Sequence, residues 1–379
     1  MTATGDQAVK LEEKRNHFLS LVRKYPGISR RDCAIAMRVS TFYASKLVPE
    51  LVDAGIVTEE DSPALISGRG RPSKPLFINP EYEYFAGIDL EARSWRMVIA
   101  NFQGDCIHTF VHPFNVCASS QEYCSQLKRI LIKAIDNAGK RWDKVKAVGL
   151  GAPGFLNQET GLIESYEILP EFKHIPLLDI CKRNTGKPIF IQNNVYNLAT
   201  FDLLKRPESE GRSIIHVALR SGISAALSLN GMVYNGRNNM AGEVGLSLIS
   251  NLGMLQEIAG LSALNAKLPG LPDEFWSGES KAVDNVLKKT RSLETLHEAM
   301  HLTAVTLANI ASFMDPDELV IYSTIFPESN KLWNMLQTGF NQCRRKQGLK
   351  PAVLSRADAS EFTPANGAAI FALENSYVY

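Results

Sequence analysis

No run of apolar residues in this chain approaches the roughly 20 needed to span a bilayer. The opening stretch MTATGDQAVKLEEKRNHF also lacks the apolar core of a secretory leader, so the expected location is the cytoplasm, away from any membrane. Cysteine is scarce: six, at positions 33, 106, 117, 124, 181 and 343, with no CxxC pair and no short regular spacing. Neither a disulfide framework nor a thiolate zinc site is expected, and the six read as small buried hydrophobes. Charge of one sign is missing too, since 41 Lys and Arg face 40 Asp and Glu. The asymmetry is local: the first 80 residues hold twelve Lys or Arg against nine Asp or Glu, which fits a small nucleic-acid module on a neutral body. What is plentiful is apolar material, 45% of 379 residues, enough for a large core and for two or three domains.

The first 80 residues read as three helices and a wing. Leu11 to Lys24 places Phe18, Leu19, Leu21 and Val22 on one side and ends at Tyr25-Pro26-Gly27. Ser29 caps a second helix with Asp32 as reciprocal partner, turning Cys33, Ala36 and Met37 inward. Only Arg38-Val39 separates it from a third helix beginning at Ser40, the tight connection of a helix-turn-helix. In that helix Leu47, Leu51 and Val52 are expected in the core, with a kink or early break at Pro49, which removes the bond to the carbonyl of Ser45. Thr41, Tyr43, Ser45 and Lys46 then face outward near its amino end, where side chains reach base edges, with Arg30 on the helix before. GRGRPSKPLFINP, 68 to 80, sets Arg69, Arg71 and Lys74 in an extended segment that returns as a strand. A wing of this kind lies along phosphates or enters a narrow minor groove.

From Tyr84 strands alternate with helices. FAGIDLEARSWRMVIANFQGDCIHTFVHPF reads as three consecutive strands, followed by a helix at 121 to 138. KAVGLGAPGFLN runs as a strand into a glycine-proline turn, and PIFIQNNVYNLATFD as a strand into Gln192, Asn193 and Asn194. Polar groups at a strand's carboxyl end face the crevice where open α/β sheets bind ligands.

GIDL at 87 to 90, GLGAPGFLNQETGLI, PIFIQNNVYNLATFD, HVALRSGISAALSLNGMVYNG and AGEVG at 241 to 245 together resemble the motif series of the ROK family of sugar kinases and related transcriptional repressors. The resemblance implies an α/β body of two lobes on the actin and hexokinase plan, behind an amino-terminal winged helix-turn-helix domain. The domains it implies are 1–80 for DNA, 81–195 with 365–379 as the first lobe, and 196–364 as the second lobe with an oligomerisation surface. It implies a homodimer, an operator in double-stranded DNA, and a sugar-like effector held by Gly154, Asn193, Asn194, Glu243 and Glu257. The family's kinases carry an aspartate base where this chain has Asn194, and an amide has no basic lone pair for the hydroxyl proton. Their Gly-Thr-Gly-Ile-Gly phosphate loop is here Arg220 to Ser224, and their later glycine pair is Ser323-Thr324, although Asp89 keeps the carboxylate of the first phosphate loop. Leu246 replaces the family's zinc-binding histidine, and the cysteines expected after it are missing. No catalytic residue, no ATP and no zinc are therefore expected.

HEAMH at 297 to 301 matches the H-E-x-x-H pattern of zinc proteases, but it opens a long helical stretch without an evident third ligand and reads as ordinary packing. The expected function is transcriptional regulation, with repression of sugar-metabolism genes foremost. Two alternatives stay open: a sugar kinase with a regulatory head, and a ligand-blind regulator controlled by a protein partner.

Overall fold

Ser29 and Ser40 set the geometry of the head. The computed structural model describes residues 3–60, 74–91, 94–114, 117, 119–166, 172–326, 330–350, 352–357 and 360–376. Helix α1 (Ala3–Lys24) leads to α2 (Arg30–Ala36), where the Ser29 hydroxyl accepts from the Asp32 amide and donates to the Asp32 carboxylate at 2.6 Å. After Arg38, whose φ of 53° makes the tight turn, Ser40 caps α3 (Thr41–Asp53) by accepting from the Tyr43 amide. Strand β1 (Val57–Glu59) pairs antiparallel with β2 (Leu76–Ile78), completing three helices and a ribbon.

Several expectations for the packing of the head need correction. Helix α3 runs through Pro49 to Asp53 without breaking, because Pro49 and Ser45 lie on the exposed face, where water can take up the freed carbonyl. Its buried stripe is Ala44, Leu47, Val48 and Leu51, so Val48 takes the core place expected of Val52, which is 37% exposed. On α2, Ala36 is exposed rather than inward.

The body is built twice on one plan. Strands β3 (Tyr84–Leu90), β4 (Ser94–Ala100) and β5 (Cys106–Pro113) form an antiparallel meander, as their alternation with turn residues implies. Helix α4 (Ser120–Ala138) returns the chain to β6 (Val145–Ala152), parallel to β3. A small sheet of β7 (Phe155–Asn157), β8 (Leu162–Ser165) and β9 (Lys173–Ile175) follows, then α5 (Leu177–Thr185) and β10 (Ile189–Asn193), parallel to β6. The sheet order is β5-β4-β3-β6-β10.

Helix α6 (Asn194–Lys205) crosses to the second sheet, which opens with β11 (Ser213–Leu219), β12 (Ile223–Leu229) and β13 (Met232–Tyr234). Short helices α7 (Leu255–Ala259), α8 (Leu261–Lys267), α9 (Asp273–Trp276) and α10 (Ser280–Leu287) precede the long α11 (Thr290–Met314). Strand β14 (Glu318–Tyr322), α12 (Asn330–Lys346), β15 (Val353–Arg356) and α13 (Thr363–Asn375) complete the chain. The second order, β13-β12-β11-β14-β15, repeats the first: antiparallel on one side of the leading strand and parallel on the other. Helix α13 returns to the first sheet and lies so close that a side chain on Gly87 or Gly149 would run into the Ala365 or Ala368 carbonyl.

The head shares its core with this lobe. Phe18, Val22, Leu51 and Leu76 belong to one apolar cluster with Phe85, Val98, Phe102, Ala365 and Ala369. Arg23, 4% exposed, donates through Nε to the Phe102 carbonyl at 3.1 Å and lies 5.3 Å from the Phe102 ring centre. Lys24 and Tyr25 both reach Glu210, in the segment that enters the second sheet.

Candidate effector cleft and nucleic-acid face

The parallel strands of both sheets end at the cleft between the lobes. Asn193 closes β10 and caps α6: its side-chain oxygen accepts from the Val195 amide at 3.1 Å, and its nitrogen donates to the Gly154 carbonyl at 3.3 Å. Gly154 adopts φ 68° at the turn after β6, with the Ser165 carbonyl and Tyr166 packed against it. Asn193, Asn194, Gly154 and Glu243 line one recess of about 70 Å³, so the structure brings together residues drawn from three separate segments.

Glu257 does not join them. Its carboxylate accepts from the Met254 amide at 2.8 Å, capping α7, and Gln256 lines the recess instead. The helical turn rotates adjacent side chains by about 100°, so an error of one position moves a side chain off the site. Tyr166, buried at 8% exposure, and Glu91 also line the recess, and no motif in the sequence marks either of them.

The turn from Arg220 to Ser224 is tied to the first lobe by ions of the protein itself. Arg220, at the turn between β11 and β12, donates to Asp89 at 2.6 and 3.3 Å and to Glu91 at 2.8 Å. Arg96 on β4 lies 3.1 Å from Glu91, 3.9 Å from Asp89 and 3.1 Å from Glu361. The Ser221 hydroxyl and amide both point at Glu91 Oε1, at 3.0 and 3.4 Å. The backbone amide at this turn is thus directed onto a carboxylate of the facing lobe. Three carboxylates meet two guanidiniums, so an incoming phosphate would find no surplus positive charge. Burial pushes the Glu91 carboxyl up, yet Arg220, Arg96 and the Ser221 bonds outweigh it and hold it at about 2. Burial likewise opposes the charge on Arg220, and Asp89 with Glu91 overcomes it, raising that guanidinium above its ordinary range.

Glu91, Arg96, Arg220, Ser221 and Glu361 of this cluster also line a cavity of about 510 Å³ between the lobes, together with Trp276, Tyr322, Ser323 and Thr324. The donor set for zinc does not fit: Leu246 offers no ligand atom, and the segment from Ser247 to Gly260 contains no cysteine or histidine. His297 and His301 are exposed on α11 with parallel rings 6.5 Å apart. Among the described residues no group of three or more His, Cys, Asp or Glu is placed to hold a metal.

On the head, Thr41, Ser45 and Lys46 are exposed at the start of α3. Tyr43 instead turns inward, half-buried with its hydroxyl enclosed, because it falls on the side of Ala44 and Leu47. Arg30 is engaged within the head, with two bonds of 2.7 Å to Glu59 on β1. Lys74 is half-buried just before β2, and Arg69 and Arg71 lie outside the described residues. No helix among the described residues is long and apolar enough to cross a membrane.

The profile of the ROK family matches residues 87–375. A xylose repressor of Caldicellulosiruptor bescii is 22% identical over 301 residues, covering 76% of this chain and 74% of that one. A ROK family transcriptional regulator, described as a homolog of the E. coli MLC protein, superposes with TM-score 0.74 at 18% identity over 97% of this chain and 98% of its own. A ROK family glucokinase from Streptomyces griseus, in complex with glucose and AMPPNP, matches with TM-score 0.61 at 17% identity over 76% of this chain and 98% of its own. At these identities the structures establish the fold, with the head covered by the regulator alone of these two, and the profile spans most of the chain: this protein belongs to the ROK family.

Proposed function

We propose that this protein is a DNA-binding transcriptional regulator, a repressor of sugar-metabolism genes, whose kinase-like body binds a sugar or sugar derivative without phosphorylating it. The observation that carries this reading is the ion cluster joining Arg220 to Asp89 and Glu91 at the turn where the family's kinases would hold phosphate. A kinase must leave that position open to the nucleotide, whereas here the protein's own ions bridge the lobes. Asn194 adds a second loss, because the general-base contribution, typically ~10²- to 10⁴-fold in rate, has no carboxylate to supply it. Zinc and ATP have no part in this reading. The relatives named as repressors support it, and so does the placement of the head.

The head touches both sides of the cleft: the first lobe and α13 through its apolar core, and the segment entering the second sheet through Glu210. An effector that favours one degree of lobe closure therefore biases the seat of the head. Two heads in a homodimer would read half-sites of one operator, and a change in their spacing would weaken binding.

The test is fluorescence anisotropy on DNA from just upstream of the protein's own gene, titrated first with salt and then with sugars and sugar phosphates. Tight, salt-sensitive binding released by one compound is the expected result. Operator affinity indifferent to every sugar that binds refutes the coupling, and ATP-dependent phosphorylation of a hexose refutes the regulator without kinase activity.

A further inference from the structure

The buried stripe of α3 leaves Phe42, Ser45, Lys46 and Pro49 on the opposite face, all exposed. At 100° per residue Phe42 sits between Ser45 and Lys46, near the middle of that face and two residues after the Ser40 cap. It is 77% exposed, the most exposed large apolar residue among the described residues of the head. A lone exposed apolar group needs no explanation on an ordinary surface. Here it occupies the amino-terminal half of the outward stripe of a helix in a helix-turn-helix, where side chains meet base edges.

We propose that Phe42 is a specificity-determining residue that packs against the C5-methyl group of a thymine in the major groove. This rests on the DNA-binding reading above. A phenyl ring carries no donor or acceptor, so it cannot read the hydrogen-bond pattern of a base pair. The apolar group that a base pair displays in the major groove is the thymine methyl. The neighbours suit nucleic acid: the Ser45 hydroxyl and the Lys46 ammonium flank the ring, and Arg31 and Arg38 are exposed on the adjoining helix and turn. On α3 the ring's neighbours Ser45, Lys46 and Thr41 add little apolar surface, with Ile35 on α2, 61% exposed, as a further exposed apolar group of the head. Tyr43, which the sequence pattern points outward, is unavailable for the role because its hydroxyl is enclosed in the head.

The experiment uses the full-length protein. DNA bound from a random-sequence pool is enriched, and each thymine of the selected site is then replaced in turn by deoxyuridine, which removes the methyl group and nothing else. The wild type is expected to lose about four-fold in affinity at one thymine of a half-site, the value of one buried methyl. Phe42→Ala should bind thymine and uracil there equally, and its exposed position leaves folding intact. Lys46→Ala should weaken binding to all sequences and reduce the salt slope, yet keep the methyl preference. Uracil tolerated at every position, or a methyl preference that survives in Phe42→Ala, overturns the assignment while leaving DNA binding in place. A pool that yields no enriched sequence overturns the DNA-binding reading, and this inference with it.

Discussion

Removing Arg220 should destabilise the cleft in a way that acid repairs. In the wild type, Asp89 is fully enclosed, and the side chains of Glu91 and Arg220 are 13% and 12% exposed. Arg220→Ala leaves two buried carboxylates without their shared partner, a loss of about 3–5 kcal/mol for an isolated buried pair. Arg96 remains 3.1 Å from Glu91 and 3.9 Å from Asp89, which trims the expected loss to about 2–4 kcal/mol. The pH dependence follows from the depressed Glu91 carboxyl. In the wild type its pairing contributes fully above the ordinary carboxylate value of 4.5 and is lost as pH falls toward about 2. In the variant, burial is less opposed and the carboxyl rises, so this acid-side loss shrinks. Urea denaturation followed by tryptophan fluorescence should therefore show the largest gap between the two proteins at pH 7 and a narrowing gap from pH 4.5 downward. Arg220→Lys should recover only part of the gap, because one ammonium cannot fork between Asp89 and Glu91 as a guanidinium does. Equal midpoints at pH 7, or a gap constant down to pH 3, would refute the account of a charged inter-lobe clasp.

On the proposed regulator reading, Asn194→Asp alone should yield no ATP-dependent sugar phosphorylation above buffer in a coupled assay, because Arg220 remains paired with Asp89 and Glu91. His216, wholly buried with Nε2 3.1 Å from the Ser228 hydroxyl, is lowered to about 3 by burial and by Arg206, against Glu318. Its neutral form is the folded one, so its contribution to stability should be lost progressively as pH falls from 6.5 toward about 3, and His216→Asn should flatten that limb in acid denaturation. Arg23→Ala removes a buried donor and its stacking on Phe102. It should loosen the seat of the head on the first lobe by about 2 kcal/mol and speed proteolytic cleavage between β2 and β3.

The residues around Ser29, Ser40, Tyr84 and Asn193 carry local signals that do not depend on the rest of the chain. A hydroxyl one position before a helix satisfies an amide of its first turn, and β-branched runs between turn residues form strands. Accordingly the head, the β3-β4-β5 meander and the polar end of β10 at Asn193 are legible in the amino-acid sequence, whereas the grouping of Gly154 and Glu243 with Asn193 and Asn194 comes from the family resemblance. Local reading fails where two neighbouring positions compete for one direction: Val48 against Val52, Phe42 against Tyr43, Gln256 against Glu257. Each choice is made by which side chain the neighbouring element can accommodate, and sequence spacing alone leaves it open.

What the sequence by itself determined is the plan of the chain and which side chains stand at its turns: an amide at Asn194, side chains at Arg220 and Ser224, and an aliphatic group at Leu246. Only the tertiary structure decided what such side chains meet. Arg220 meets Asp89 across 131 residues of chain, and Arg23 meets Phe102 across 79. The charge on Arg220 is a property of one side chain and is written in the sequence. Its partner is fixed by two lobes folding against each other, and the energy of a buried ion pair depends on that separation and that exclusion of water.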